Sequence, residues 1–126
     1  MCGIFGVISN GPSDKDSNFV RGDWNALMKN SLSRGRDSSG LILLDVLSSK
    51  MSIIKGNLPL SELVRSKPYQ SKIKELETSQ DWIAMGHARL VTNGSPMDNE
   101  NNQPVSGNKG YLIHNGIVIN DNEIWK

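Results

Sequence analysis

The chain has 126 residues, of which 37% are hydrophobic, and a formal net charge of +1. This size suits one domain with a hydrophobic core, and the near-neutral charge argues against a nucleic-acid or acidic-membrane partner. A single cysteine excludes an internal disulfide and fits a reducing, cytoplasmic compartment. Since no apolar run reaches the length of a transmembrane helix, no membrane is expected as a partner.

The only cysteine lies in the first six residues, Met1-Cys2-Gly3-Ile4-Phe5-Gly6. If the initiator methionine is removed, Cys2 carries both a thiol and a free α-amino group. The thiolate is the reactive form of cysteine, and a neutral N-terminal amine can accept the thiol proton. Cys2 is therefore a candidate nucleophile. The alternative is a small buried hydrophobic residue at the start of a strand.

The first third of the chain is predicted to contain a strand, a helix and a polar loop. Residues 2–9 are predicted to form a strand with apolar residues on both faces, which implies burial on both sides. A helix with one apolar stripe is predicted from about Phe19 to Leu32. The glycine-bracketed polar segment 33–40 is predicted to be a loop. It is either a solvated connection or a loop that places an arginine and an aspartate at a site.

The middle of the chain is predicted to contain a hairpin, two short helices and a strand. The hairpin joins residues 40–47 and 50–56 across Ser48-Ser49, and its cues are Ile42, Leu44 and Val46, then Met51, Ile53 and Ile54. The helices occupy residues 59–66 and 69–78, and proline separates them. The strand covers residues 81–90, and it carries a Gly-His-Ala-Arg sequence.

A long loop and a second candidate hairpin follow. Residues 92–109 are predicted to be a loop, and loops of this length in a compact domain are usually functional or disordered. Asn115-Gly116 lies between two apolar runs, which is a strong signal for a type I′ hairpin. Residues 121–126 resemble the first turn of a helix, and a helix this short is marginal by itself. We therefore expect the chain to be truncated relative to its fold.

Four segments together resemble the class II glutamine amidotransferases, the glutaminase branch of the N-terminal nucleophile (Ntn) hydrolases. They occur in the family's order and span nearly the whole chain. They are Cys2-Gly3-Ile4-Phe5-Gly6, Arg34-Gly35-Arg36-Asp37-Ser38-Ser39-Gly40, Gly86-His87-Ala88-Arg89-Leu90-Val91-Thr92 and His114-Asn115-Gly116. The resemblance implies an α+β fold, an Ntn-hydrolase-type αββα sandwich with antiparallel sheets, here incomplete. Residues 1–126 would be the N-terminal part of a type-2 glutamine amidotransferase domain, without its synthase domain.

The resemblance also implies roles for the catalytic residues. Cys2 resembles the nucleophile that attacks the side-chain amide of glutamine. The side-chain amide of Asn115 and the backbone N–H of Gly116 resemble the oxyanion hole. Two preorganised donors suit a tetrahedral oxyanion, and loss of one typically costs about 10²–10³ in rate.

Four further residues resemble parts of the substrate site. Arg89 resembles the arginine that clamps the α-carboxylate of glutamine, a role that suits a planar two-pronged donor. Thr92 occupies the position of another glutamine-pocket residue. Arg34 resembles the loop arginine near the nucleophile, and Asp37 an aspartate that holds this loop.

The implied reaction converts glutamine to glutamate and ammonia through a thioester, and a synthase domain or subunit receives the ammonia. No cofactor or metal is expected, because two histidines and one cysteine are too few and too scattered for a zinc site. Two alternatives remain open. The chain is either a truncated or split fragment that binds or needs a complementing chain, or an enzyme acting on an amide other than glutamine. The orientation of the Arg89 guanidinium relative to Cys2 distinguishes this last alternative from glutamine hydrolysis.

Overall fold

A computed structural model describes residues 2–10, 17–92 and 94–124 of the chain. Helices and strands are interspersed, and every strand pair in the two sheets is antiparallel. The predicted α+β class with antiparallel sheets is therefore confirmed, and the arrangement is consistent with an Ntn-type sandwich. In chain order, the elements are β1 (Gly3–Ser9), α1 (Ser17–Ser31), β2 (Ser38–Asp45), β3 (Lys50–Gly56), α2 (Leu60–Leu63), α3 (Lys67–Glu77), β4 (Trp82–Arg89), a short 3-10 helix (Asn99–Asn101), β5 (Val105–Gly107), β6 (Gly110–Leu112) and α4 (Asp121–Ile124).

The main sheet has four strands in the order β1-β4-β2-β3. Because β4 is an inner strand, it pairs with β1 on one side and with β2 on the other. Gly3 of β1 and Ser39 of β2 both face Ala88 of β4. This register brings the end of β4, at Arg89, next to the residue that precedes β1, which is Cys2.

The hydrophobic core lies between one face of this sheet and the helices. Phe5 of β1 meets Trp24 of α1 with ring centroids 5.0 Å apart. The indole Nε1 of Trp24 donates a hydrogen bond of 3.0 Å to the hydroxyl of Tyr69 on α3, which joins the two helices within the core. Full burial of one such large side chain contributes roughly 1.5–3 kcal/mol. The fully buried or nearly buried hydrophobic residues are Phe5, Trp24, Met28, Leu41, Leu43, Leu60, Leu63, Tyr69, Ile73, Leu76, Trp82, Ala84 and Ala88.

The opposite face of the main sheet is exposed along β1 and at Met85 of β4, although Ile42 and His87 on the same face are buried. Ile4 is 44% exposed, Ile8 is 75% exposed and Met85 is 39% exposed. The prediction that residues 2–9 are buried on both sides is therefore wrong. Apolar alternation supplies two faces that are able to pack, but burial requires a second layer, and the helices pack against only one face.

Most predicted elements are confirmed with small shifts at their ends. One difference concerns the loop predicted over residues 33–40, because β2 already begins at Ser38. Ser38 and Ser39 are almost completely buried, and the Ser39 hydroxyl donates to the carbonyl of Leu58 at 2.8 Å. Polar composition suggested a loop, but side chains this small fit inside a sheet. The Ser39 hydroxyl is satisfied by Leu58, whereas the buried Ser38 hydroxyl has no hydrogen-bond partner among the described residues. None of the helices among the described residues is long and apolar enough to span a membrane.

The second sheet rules out the hairpin predicted at Asn115-Gly116. It pairs β5 with β6, so Val105 faces Leu112 across a turn at residues 108–109. No strand follows at residues 117–120 of the described chain. The Asn-Gly sequence is typical of a turn, but the apolar run before it pairs with the preceding segment instead. The end of the predicted loop 92–109 is accordingly a strand.

Candidate active site

The thiol of Cys2 lies beside the backbone that follows β4. Cys2 Sγ accepts a hydrogen bond from the Leu90 N–H at 3.4 Å and donates to the Leu90 carbonyl at 3.6 Å. Cys2 is half-buried. The antiparallel pairing of β1 with β4 explains this position, because Gly3 is already in register with Ala88. Met1 lies outside the described residues.

Arg89 ends β4 and is 7% exposed. Its Nη1 donates a hydrogen bond of 3.0 Å to Oδ1 of Asn102, a side chain that is itself fully buried. The Asn102 amide in turn donates to the carbonyl of Pro96 at 2.8 Å. A buried charge needs hydrogen-bond partners, and a bond to a charged group contributes about 1.5–3 kcal/mol. The loop before β5 therefore fixes the guanidinium of Arg89.

Asp37 binds the backbone that leads from Arg89 to Val91. Its Oδ2 accepts a hydrogen bond from the Val91 N–H at 2.6 Å, and its own N–H donates to the Arg89 carbonyl at 3.1 Å. Asp37 thus directs the chain out of β4 towards Thr92. Its contacts are to this backbone, and it does not line the pocket described below.

Arg34 lies outside that pocket. Together with Arg36 and Leu90 it lines a separate surface depression. The stem of Arg34 packs closely over Gly3, because a Cβ at Gly3 would lie 3.1 Å from Arg34 Cβ. Leu90 borders both cavities, so Arg34 is a neighbour of the Cys2 site without being part of its wall.

The segment His114-Asn115-Gly116 reaches Cys2 from the end of the second sheet. Asn115 Nδ2 donates a hydrogen bond of 3.1 Å to the backbone carbonyl of Cys2. A Cβ at Gly116 would lie 2.9 Å from Nε2 of His114, so the imidazole lies close against the chain there and would have to move for a larger residue. The segment is exposed and belongs to no helix or strand.

One cavity of about 210 Å³ brings these groups together. Four of the seven residues proposed from sequence line it: Cys2, Arg89, Thr92 and Gly116. Asn115 is bonded to Cys2 at its edge. Its remaining lining residues are Leu90, Gln103, His114, Ile117 and Val118.

Sequence reasoning assigned no role to Asn102 or Gln103. Asn102 holds Arg89, and Gln103 lines the cavity and bonds to the backbone of His114. The available signal was the length and polarity of the loop that contains both residues, since long loops inside a domain are usually functional. That signal does not single out individual residues.

His87 lies on β4, two residues before Arg89, and is 0% exposed. Burial, with the Arg89 charge as the second cause, lowers its pKa from 6.5 to about 4, so the ring is neutral at physiological pH. Neither ring nitrogen has a partner with hydrogen-bond geometry among the described residues. The nearby His114 backbone favours the protonated ring, but this effect is smaller than that of burial.

Comparison with known proteins gives relatives that match almost the whole chain, although no protein-family model matches it. Three of them are named glutamine–fructose-6-phosphate aminotransferase (isomerizing). The protein of Pyrococcus horikoshii is 34% identical over 125 residues, that of Campylobacter jejuni 32% over 124, and that of Sulfolobus acidocaldarius 30% over 125.

Each of these matches covers 98% of the chain but only 18% or 19% of the relative. The chain therefore spans about a fifth of the length of the curated relatives that it matches. The similarity extends over all four motifs identified in the sequence. The predicted resemblance is thereby confirmed, and the chain is a relative of the class II glutamine amidotransferases.

Proposed function

We propose that residues 1–126 are the N-terminal part of a glutaminase domain that hydrolyses glutamine to glutamate and ammonia. One observation carries this proposal: Cys2, Arg89 and Gly116 line the same cavity of about 210 Å³. A nucleophile, a carboxylate-binding cation and an oxyanion donor are the three groups that this reaction requires.

The reaction begins with the Cys2 thiol. In the processed protein, the α-amine of Cys2 takes the thiol proton, and Sγ forms a bond to the side-chain carbonyl carbon of glutamine. The carbonyl oxygen becomes an oxyanion, which accepts hydrogen bonds from Asn115 Nδ2 and the Gly116 N–H. The amine then returns its proton to the leaving nitrogen, the C–N bond breaks, and ammonia departs. Water hydrolyses the remaining thioester to glutamate and restores the thiol.

Arg89 determines which amide enters the cavity. Its guanidinium binds the α-carboxylate of glutamine, and Thr92 borders the same space. The bond to Asn102 keeps the guanidinium oriented before the substrate arrives. Because Arg89 and Cys2 line one cavity, we propose a free amino acid rather than a peptide amide as the substrate.

The ammonia passes to a synthase domain or partner subunit, which binds the acceptor molecule. The relatives' name identifies fructose 6-phosphate as their acceptor, so a sugar phosphate is the first acceptor to test for this chain. Asp37 and Arg34 support the site indirectly in this proposal, Asp37 through the backbone after Arg89 and Arg34 beside β1.

The test uses the full chain after intact-mass measurement has shown loss of one methionine. We expect glutamate release from glutamine but not aspartate release from asparagine, because the shorter side chain cannot reach Cys2 when Arg89 holds the carboxylate. Cys2→Ala should abolish turnover, and also labelling by a glutamine-like electrophile, since Cys2 is the only cysteine. No turnover by folded protein with a free Cys2 amine would contradict the proposal.

A second candidate function, a fragment that acts only with a complementing chain, is favoured by the exposed apolar face of the main sheet. Ile8, Ile4 and Met85 are 75%, 44% and 39% exposed on that face, and large exposed apolar patches mark interaction surfaces. This candidate predicts self-association or aggregation of the isolated chain. A monodisperse monomer with a cooperative thermal transition in analytical ultracentrifugation and calorimetry would exclude it.

A further inference from the structure

The side chain of Gln103 joins the loop before β5 to the segment that carries Asn115 and Gly116. Gln103 Oε1 accepts a hydrogen bond from the His114 N–H at 2.5 Å. Gln103 Nε2 donates a hydrogen bond to the His114 carbonyl at 2.9 Å. One carboxamide thus holds both backbone polar groups of the residue immediately before Asn115.

This pair extends the β5–β6 ladder beyond the end of its strands. Val105 faces Leu112, and the same register, two residues further, places Gln103 opposite His114. Pro104 intervenes, has no N–H, and precedes the start of β5 at Val105. The side-chain amide of Gln103, which offers an acceptor and two donors, therefore replaces the backbone pair that a longer strand would supply.

The segment beyond His114 has few other attachments. Residues 115–119 are exposed and form neither helix nor strand. Asn115 Nδ2 is bonded to the carbonyl of Cys2 at 3.1 Å. A segment held at few points takes its orientation from those points, and its local stability is low without them. Gln103 is therefore placed to set the direction in which Asn115 and Gly116 present their donors.

The loop that supplies Gln103 is itself anchored to the main sheet. Lys55 Nζ donates hydrogen bonds of 2.9 Å to the carbonyl of Asn102 and 3.1 Å to that of Pro104, one on each side of Gln103. A Cβ added at Gly40 of β2 would overlap the Gln103 backbone, which shows how closely the loop lies on the sheet. The Gln103 carboxamide therefore connects the anchored loop before β5 to the segment that begins at His114, which has no comparable anchor among the described residues.

We propose that Gln103 is a positioning residue for the oxyanion-binding donors, an inference that rests on the proposed glutaminase function. Oxyanion donors accelerate a reaction only if they already point to the place where charge develops. Gln103 transfers no proton and forms no bond in the reaction. It acts through the His114 peptide, which fixes Asn115 Nδ2 and the Gly116 N–H in front of Cys2.

The kinetic test compares Gln103→Ala with Gln80→Ala, a matched control at an exposed position outside the cavity. We expect Gln103→Ala to lower kcat for glutamine by about 10²-fold, because small misplacements of catalytic groups have effects of this size. KM should change less than about threefold, because the contact at Arg89 remains. Gln80→Ala should match the parent protein in both constants.

A conservative variant separates positioning from a structural role. Gln103→Glu keeps the acceptor for the His114 N–H but sets an oxygen against the His114 carbonyl in place of the donor. Its kcat should be low at neutral pH and rise relative to the parent as the pH falls towards the range in which a glutamate protonates, because the acid form donates again. A constant ratio to the parent across pH would overturn the positioning role.

Amide hydrogen exchange provides a readout that does not depend on turnover. Gln103→Ala should accelerate exchange at the His114 N–H, which donates to Gln103 Oε1, while leaving β4 protected, and Gln80→Ala should accelerate neither. If the parent hydrolyses no glutamine but exchange responds in this way, the positioning contact stands and the glutaminase function fails. Unchanged exchange at His114, or equal acceleration throughout the protein, would overturn the inference about Gln103.

Discussion

His87 is the group from which we expect the clearest dependence of stability on pH. Burial, followed by the charge of Arg89, lowers its pKa from 6.5 to about 4 in the folded protein. The unfolded chain therefore binds a proton between these two values that the folded protein does not bind. Stability is fully present above the unfolded pKa and is lost as the pH falls towards the folded pKa.

The magnitude follows from the difference between the two pKa values. One pKa unit corresponds to about 1.4 kcal/mol, so the complete shift of His87 corresponds to a loss of about 3 kcal/mol at acidic pH. A small domain has a total stability of about 5–15 kcal/mol. The titration of this one imidazole should therefore remove a large fraction of the folding free energy before most carboxylates protonate.

The assay is urea unfolding at a series of pH values for the parent and for His87→Leu. Leucine binds no proton, so the difference in unfolding free energy between the two proteins should change by about 3 kcal/mol across the window between the pKa values. His114→Leu is the matched control, because the other histidine of the chain is exposed. Asp45 and Glu75, whose pKa values are lowered by hydrogen bonds to Ser48 and Lys72, titrate in all three proteins and cancel in the difference.

Two outcomes would refute this reasoning. The first is a parallel loss of stability in His87→Leu and the parent through the whole acidic window, which would assign the loss to carboxylates. The second is a difference of the opposite sign, in which His87→Leu loses more stability than the parent as the pH falls. Both outcomes are read from the same set of urea curves.

Two further predictions concern the support of Arg89. Asn102→Ala removes the amide that accepts a hydrogen bond from the nearly buried Arg89 guanidinium. The free energy of unfolding, measured in urea, should fall by about 1–3 kcal/mol, and KM for glutamine should rise. The control Asn108→Ala lies in an exposed turn and should change neither quantity. Gly35→Ala places a Cβ into the backbone at the end of β4 and should cost at least about 2 kcal/mol. Gly22→Ala has open space on α1 and should stabilise by up to about 1 kcal/mol in calorimetry; equal effects of the two glycine substitutions would contradict the packing argument.

Elements with strong local signals were predictable from the sequence. The apolar stripe of α1 and the short apolar runs of the β2–β3 hairpin, separated by Ser48-Ser49, are visible without reference to distant residues. The polar start of β2 was missed, because Ser38 and Ser39 are buried by strands and loops that lie far away in sequence. The prediction of a hairpin at Asn115-Gly116 was wrong for a similar reason, because the segment before Asn115 pairs with β5.

The residues of the candidate site were likewise predictable only in part. The motifs indicated Cys2, Arg89 and Gly116 as residues of one site, and all three line one cavity. The sequence did not indicate that Arg34 borders a different depression. It also did not reveal Gln103, whose amide replaces a backbone pair only because the register of β5 and β6 brings it opposite His114.

The amino-acid sequence by itself determined the types of the elements and the chemical groups available for catalysis. Periodicity and side-chain chemistry are local properties, so a single chain displays both. The tertiary structure alone decided which strand faces were covered, which strands paired, and which amide supported the site. These features depend on contacts between distant segments, and the free energy of burial and hydrogen bonding is defined only once those segments meet.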